Sequence, residues 1–158
     1  MTVKPDLFET VQCLCLASRR AARAITRRFD TALRPHGIKA TQFTLLAALA
    51  LKGPQPIGAL AEFIGVDRTT LTRNLAVARE QALVQIGSCK DARARVASIT
   101  ARGRQTLQRA FSTWRETQHE LTNAIGVAAA DSLRRLSRRP QIRNGSRAYM
   151  TGSAGQHP

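Results

Sequence analysis

With 158 residues, 43% hydrophobic and only 4% aromatic, the chain suits one domain, or one domain with a dimerisation appendage, and favours an aliphatic helical core over a β-sandwich. The formal net charge of +15, from 25 Lys and Arg against 10 Asp and Glu, favours binding to nucleic-acid phosphates over a merely solvated basic surface or a membrane-surface protein. Three cysteines do not suit a disulfide framework, and no secretory signal or membrane-length apolar run is found, so we expect a soluble cytoplasmic protein.

The first predicted element is one long helix from about Asp6 to Leu33, with Asp6 as its cap and Pro35 and Gly37 ending it. Its apolar residues recur at spacings of three and four, which is the period of one helix face. A long helix of this kind needs a partner to cover that face.

Two shorter helices are predicted next. The first of them begins near Thr41, its expected cap, and is broken by Gly53-Pro54. The other runs from Pro56, a good first helical residue, to Ile64.

Residues 56–82 have the pattern of a helix-turn-helix. Gly65 permits a tight turn with positive φ, and Asp67 caps a further helix that continues to about Ala82. One face of that helix is predicted to be buried: Leu71, Leu75, Ala78 and Ala82. The other face carries residues that donate to base edges or phosphates, or pack on thymine methyls: Arg68, Thr69, Thr70, Thr72 and Arg73. Its N-terminal half is the part expected to enter a DNA major groove.

A β-hairpin with a basic tip is predicted after this helix. Two short apolar stretches, Leu83–Ile86 and Arg95–Ile99, flank the polar segment 87–94. In this position the hairpin is interpreted as a wing, and its expected contacts with the DNA minor groove are Lys90, Arg93 and Arg95.

Two helices are predicted to follow the hairpin, the first over residues 101–125 and, after Gly126, a short one over 128–137. Phe111 and Trp114 are expected in the core rather than in a ligand site.

The expected organisation is a single domain over 1–138, with a winged helix-turn-helix at about 40–100, dimerisation helices at about 6–34 and 101–137, and a disordered polar tail at 139–158.

Four stretches together resemble the MarR family of regulators, over residues from about Leu7 to Leu136. They are Thr41-Gln42-Phe43 with Leu45-Leu46, the segment from Leu60 to Arg73, Asp91-Ala92-Arg93, and the segment from Ile99 to Arg104. The sequence differs from the family pattern at two places. Ala92 stands where many members have a second arginine in the wing, and a polar segment follows Leu136 where an apolar dimerisation helix is expected.

The resemblance implies a homodimer held by the first and last helices and bound to a pseudo-palindromic operator, usually as a repressor. It places Thr70, Thr72 and Arg73 at recognition-helix contacts and Arg93 at the wing arginine. It also implies a crevice between the dimerisation helices and the DNA-binding lobe for a small-molecule inducer, often a lipophilic anion.

The cysteines leave two alternatives open. Cys13, Cys15 and Cys89 are either small buried hydrophobes or a sensor of oxidants or of a soft metal or metalloid such as arsenite. If Cys13 and Cys15 share a helix, they point about 200° apart and do not easily chelate one ion together.

Other classes of function find less support. No cofactor, metal site or membrane partner is assigned, and the absence of recognisable catalytic motifs favours a protein that is not an enzyme. A non-specific architectural nucleic-acid-binding protein remains the alternative of another class, because it would share the charge but lack operator preference.

Overall fold

The computed structural model describes residues 7–88 and 95–138 of the chain. These residues are mainly helical, with a small antiparallel sheet, as predicted. The elements in chain order are α1 (Leu14–Leu33), α2 (Ala40–Lys52), β1 (Gln55–Pro56), α3 (Ile57–Ile64), α4 (Arg68–Glu80), β2 (Val84–Ser88), β3 (Arg95–Ile99), α5 (Ala101–Ile125) and α6 (Val127–Arg138).

The prediction of one continuous first helix was wrong at Cys13. A 3-10 helix spans Leu7–Gln12, and the Cys13 N–H donates to the carbonyl of Thr10, three residues back. Cys13 then takes an extended conformation, with φ −60° and ψ 123°, so that α1 starts only at Leu14. The predicted cap, Asp6, lies outside the described residues.

The predicted cap of α2 was also wrong, since the helix begins at Ala40 and Thr41 lies inside it. A side chain from another helix takes the capping role: Asp30 Oδ1 accepts the Ala40 N–H at 2.7 Å. Gln42 Oε1 accepts the Lys39 N–H at 2.9 Å. Both bonds satisfy N–H groups that a helix start leaves without a partner in its own helix.

The sheet has three strands in the order β1-β3-β2, one more than the predicted hairpin. Pro56 belongs to β1 and is not the first residue of α3, which begins at Ile57. Proline is tolerated here because β1 is an edge strand, pairing with β3 in the register Gln55↔Ala97 and Pro56↔Val96. The predicted hairpin is confirmed, with Val84 opposite Ile99 and Ser88 opposite Arg95.

The hydrophobic core lies between α2, α3, α4 and the sheet. Its largest fully buried side chains are Leu33, Leu45, Leu46, Leu49, Leu60, Leu71, Leu75 and Val84. Trp114 of α5 packs against this core and stacks on Phe43, with ring centroids 5.4 Å apart. Phe111 was wrongly predicted as a core residue, since it is 49% exposed and covers one side of Trp114.

The start of α5 is held tightly against the residues that precede β2. A Cβ added at Gly103 would lie 2.1 Å from the carbonyl oxygen of Leu83. Thr100, just before α5, accepts the Gly103 N–H at 3.0 Å with its hydroxyl, which also donates to the Ala82 carbonyl at 2.7 Å. Glycine is therefore the only residue that fits at position 103 without displacing the backbone.

The chain divides into two compact units between Leu121 and Thr122. Among the described residues of the second unit, α6 extends one residue beyond each predicted end and follows Gly126, whose φ is +84°. Leu133 and Leu136 of α6 are exposed. The predicted tail lies outside the described residues, and within them no helix is long and apolar enough to cross a membrane.

Candidate nucleic-acid interface

The turn between α3 and α4 has the conformation that the sequence predicts. Gly65 has φ +78° and ψ 36°, in the left-handed region, and its N–H donates to the Ala61 carbonyl at 2.9 Å. The Val66 N–H donates to the same carbonyl at 3.0 Å. Ala61 is buried, and its small side chain lets the two helices cross closely.

The buried face of α4 is shorter than predicted. Leu71, Leu75 and Ala78 are buried, but α4 ends at Glu80 and Ala82 is exposed, with φ +56°. The Leu83 N–H donates to the Ala78 carbonyl at 2.9 Å, which closes the helix end and turns the chain into β2. Ala82 was therefore wrongly placed on the helix, because it takes the left-handed position of that closing turn.

The exposed face of α4 brings together the five predicted DNA-contact residues of this helix: Arg68, Thr69, Thr70, Thr72 and Arg73. Because successive helical residues are rotated by about 100°, Arg73 lies opposite the buried face, with Thr70 and Thr72 on either side of it. The face also continues towards Val77, which is 48% exposed. Val77 was not predicted as part of this face, although it follows Arg73 by one helical turn.

The N-terminus of α4 is anchored by Asp67, as predicted. Its Oδ1 accepts the Thr70 N–H at 2.8 Å, and its Oδ2 accepts the Thr70 hydroxyl at 2.6 Å. The bonds from the Thr70 side chain and backbone hold the pKa of Asp67 below its ordinary value. The carboxylate is therefore charged at neutral pH, but it is already occupied at the helix end.

A second hydroxyl of this face is also bonded within the helix. Thr72 Oγ1 donates to the carbonyl of Arg68 at 2.7 Å. Thr70 and Thr72 thus both direct their hydroxyl hydrogens to the protein.

The structure describes the predicted wing only in part. Arg95, the first residue of β3, is exposed. Lys90 and Arg93, the other two predicted contacts of the wing, lie outside the described residues, as does Cys89.

A groove of about 920 Å³ separates α1 from the C-terminal half of α4. Its charged lining residues are Arg27, Asp30, Arg34 and Lys39, and its remaining lining residues include Ile38, Gln42, Asn74, Val77 and Gln81. Asp30 already accepts the Ala40 N–H, so three cations face the groove against one engaged carboxylate. This charge balance suits an anion.

Two described cysteines, Cys13 and Cys15, are exposed and not joined in a disulfide. Because Cys13 precedes α1, the angle of about 200° expected from a shared helix does not apply to this pair. Within residues 7–88 and 95–138, no group of three or more His, Cys, Asp and Glu residues is placed to hold a metal ion.

Comparison with known proteins gives a consistent result. The sequence profile of the MarR family matches residues 36–94. The transcriptional regulator MosR of M. tuberculosis, solved in complex with DNA, is 42% identical to this chain, with a TM-score of 0.72, over 79% of this chain and 93% of that one. No curated protein sequence gives a significant match.

More distant structures share the same fold. A mutant MarR from E. coli complexed with operator DNA is 21% identical, with a TM-score of 0.72, over 84% of this chain and 96% of that one. BpsR of Bordetella bronchiseptica, whose DNA binding is regulated by 6-hydroxynicotinic acid, is 18% identical, with a TM-score of 0.69, over 78% of this chain and 98% of that one.

Proposed function

The chain belongs to the MarR family of winged helix-turn-helix DNA-binding transcription regulators, a family of non-enzymes, and we propose that it is a sequence-specific repressor released from its operator by a chemical signal. The observation that carries this proposal is the exposed face of α4. Between Arg68 and Arg79 this helix has no acidic residue, and Asp67 at its start is occupied as a cap. A merely solvated face would mix charges of both signs, whereas this one is suited to a polyanion.

The proposed complex is a homodimer whose two α4 helices enter successive major grooves of a pseudo-palindromic operator. Half-site centres would then be about 10 bp apart, or a multiple of that spacing. In this arrangement Arg68, Thr69, Thr70, Thr72 and Arg73 contact the major groove, and Lys90, Arg93 and Arg95 contact the flanking minor grooves. MosR, the 42% identical regulator, was solved with DNA bound.

DNA binding is tested with the purified protein, its upstream promoter DNA and a scrambled duplex of equal length, at physiological salt. We expect a preference of roughly a thousandfold for the promoter. Arg73→Ala should cost about 1–3 kcal/mol of binding free energy, and Arg115→Ala, which removes an exposed arginine of α5, serves as the charge-matched control. Equal, steeply salt-dependent binding to both duplexes would instead support the architectural alternative.

Exposed leucines near both ends of the described chain support the proposed dimer. Leu14 at the start of α1 is 86% exposed, and Leu136 of α6 is 65% exposed. A second copy of the chain would bury such side chains. Sedimentation velocity should show a dimer for the wild type and a shift towards monomer for Leu136→Glu. Leu51→Glu should cause no shift, because Leu51, which is 75% exposed, belongs to α2 and lies outside the proposed dimerisation helices.

The groove between α1 and α4 is the site that we propose for the inducer. An anion with an apolar ring would pair with Arg34 and Lys39 and pack on Ile38 and Val77. Val77 belongs to α4, the helix proposed to enter the major groove. An inducer bound in the groove would favour a position of α4 that differs from its DNA-bound position, and so weaken DNA binding.

The first inducer probe is 6-hydroxynicotinic acid, the regulator of BpsR, followed by simpler aromatic carboxylates. We expect the active probe to lower the operator affinity of the wild type and to have less effect on that of Arg34→Gln. Operator binding is measured by calorimetry with and without the probe. Arg19→Gln, an exposed arginine of α1 away from the groove lining, is the control. An inducer that acts equally on both variants would place its site elsewhere.

A cysteine-based sensor is the second candidate, because Cys13 and Cys15 are both exposed and Cys13 is not held inside a helix. Hydrogen peroxide would oxidise the two thiols to one disulfide and be reduced to two waters, or arsenite would bind the thiolates, with Cys89 as a third candidate ligand. Loss of operator binding on treatment should disappear in the Cys13→Ser/Cys15→Ser double variant. A response that survives in the triple serine variant would exclude the thiols as the sensor.

A further inference from the structure

We propose that Thr70 and Thr72 select thymine in the operator through their methyl groups and do not donate hydrogen bonds to the bases. This inference rests on the proposed function, since it specifies how the exposed face of α4 would read DNA. It assigns base preference to two of the five proposed contacts on α4.

Both threonine hydroxyls already donate their hydrogen within the protein. A threonine hydroxyl has one hydrogen to donate and two lone pairs that accept. The hydrogen of Thr70 goes to Asp67 Oδ2 at 2.6 Å, and the hydrogen of Thr72 goes to the Arg68 carbonyl at 2.7 Å. Neither hydroxyl has a second hydrogen for a base.

Both hydroxyl bonds are held firmly by the structure of α4. The bond from Thr70 has a charged acceptor, and charge-assisted hydrogen bonds are roughly twice as strong as neutral ones. The same carboxylate also accepts the Thr70 N–H, so rotating the hydroxyl away would disturb the cap of the recognition helix. Thr72 bonds to the backbone one helical turn back, a common local bond of threonine in helices.

The part of each threonine that remains available to DNA is its γ-methyl group. Both residues are exposed, and with the hydroxyl turned towards its helix partner the γ-methyl is the apolar part that a bound DNA would meet. In the major groove, thymine is marked by its C5-methyl group, whereas guanine presents two acceptors, O6 and N7. Thr70 and Thr72 therefore match thymine. Guanine would instead be contacted by an arginine such as Arg73, which lies between Thr70 and Thr72 on the helix face.

The operator is first obtained by selection from random duplex DNA with the wild-type protein. Each thymine of one half-site is then replaced by uracil, which removes only the C5-methyl group. Loss of one buried methyl is worth roughly a fourfold loss of affinity. We expect this loss at two positions per half-site, one for each threonine, measured by fluorescence anisotropy.

The matching protein variants are Thr70→Ser and Thr72→Ser, which keep the hydroxyl and its bond but remove the γ-methyl. Each should abolish the discrimination against uracil at one position and leave the other position unchanged. Thr70→Val and Thr72→Val keep the methyl groups and should retain the discrimination, and circular dichroism checks that each variant is folded. Thr44→Ser is a matched control, because Thr44 of α2 likewise donates to the carbonyl four residues back, that of Ala40.

The selection and the uracil measurements distinguish failure of methyl reading from failure of sequence-specific binding. If the selection yields an operator but uracil binds as well as thymine throughout, or if the serine variants still discriminate, the methyl-reading inference is overturned while the proposed function stands. If the selection yields no preferred sequence, the sequence-specific function fails, and this inference fails with it.

Discussion

Helices α1 and α2 have similar apolar spacing in the sequence but opposite surroundings in the structure. In the 13 residues of α2, six side chains are buried, whereas in the 20 residues of α1 only Leu33 is buried. Ile25 and Phe29 lie on the apolar face of α1 and are half-buried at most. The comparison shows that periodicity predicts which face of a helix is apolar, but not what covers it.

The largest expected effect tests the buried side of this comparison. Leu49→Ala should lower the free energy of unfolding by about 2–5 kcal/mol, because it leaves a cavity at a site with no exposed surface. Leu51→Ala, two residues further along α2 and 75% exposed, should change it by less than about 0.5 kcal/mol. Urea denaturation measures both, and equal losses would contradict the assigned core.

The next effect tests the uncovered side. If a second copy covers Leu14, then Leu14→Ser should weaken the dimer by about 1.5–3 kcal/mol, the value of burying a leucine side chain. The unfolding midpoint of the wild type should rise with protein concentration, and this rise should be smaller in the variant. Leu51→Ser should keep the wild-type concentration dependence, and an unchanged dependence in Leu14→Ser would remove Leu14 from the interface.

A smaller effect is expected where α5 meets the winged part of the chain. Gly103→Ala should destabilise the protein by about 1–3 kcal/mol, since its Cβ would collide with the backbone of Leu83 and force the start of α5 away from that residue. Gly58→Ala in α3 is the matched control, because a Cβ there meets no atom within 4 Å. Its expected result is a neutral or slightly raised thermal midpoint, and a Gly103→Ala variant as stable as the wild type would mean that α5 docks less closely.

The smallest effect concerns the exposed start of α4 and its dependence on pH. Asp67 has a lowered pKa in the folded protein, so its stabilising contribution is complete above the ordinary carboxyl value, about 3.9, and is lost as the pH falls through the folded value. The difference in thermal midpoint between the wild type and Asp67→Ala should therefore shrink in acid.

Thr70→Val provides the control for this pH effect. It removes the hydroxyl that contributes most to the lowered pKa, and it should move the loss of stability to higher pH, towards the ordinary carboxyl value. A pH profile identical to that of the wild type would contradict the assigned bond.

Most of the helix-turn-helix was predictable because its sequence signals are local. The turn at Gly65, the cap at Asp67 and the buried spacing of Leu71, Leu75 and Ala78 depend on residues within one or two helical turns of each other. The same local rules misplaced Ala82, because the left-handed turn there is closed by bonds from residues that follow the helix.

The sequence by itself determined the fold class, the helix-turn-helix and the polar, basic face of α4, because each follows from backbone propensity and short-range periodicity. Only the tertiary structure decided that Asp30 caps α2, that Gln55–Pro56 adds a third strand, and that the groove beside α4 combines Arg27 of α1 with Arg34 and Lys39 of the segment between α1 and α2. These features join residues distant along the chain, and such contacts form only when packing has set the helices and strands against each other.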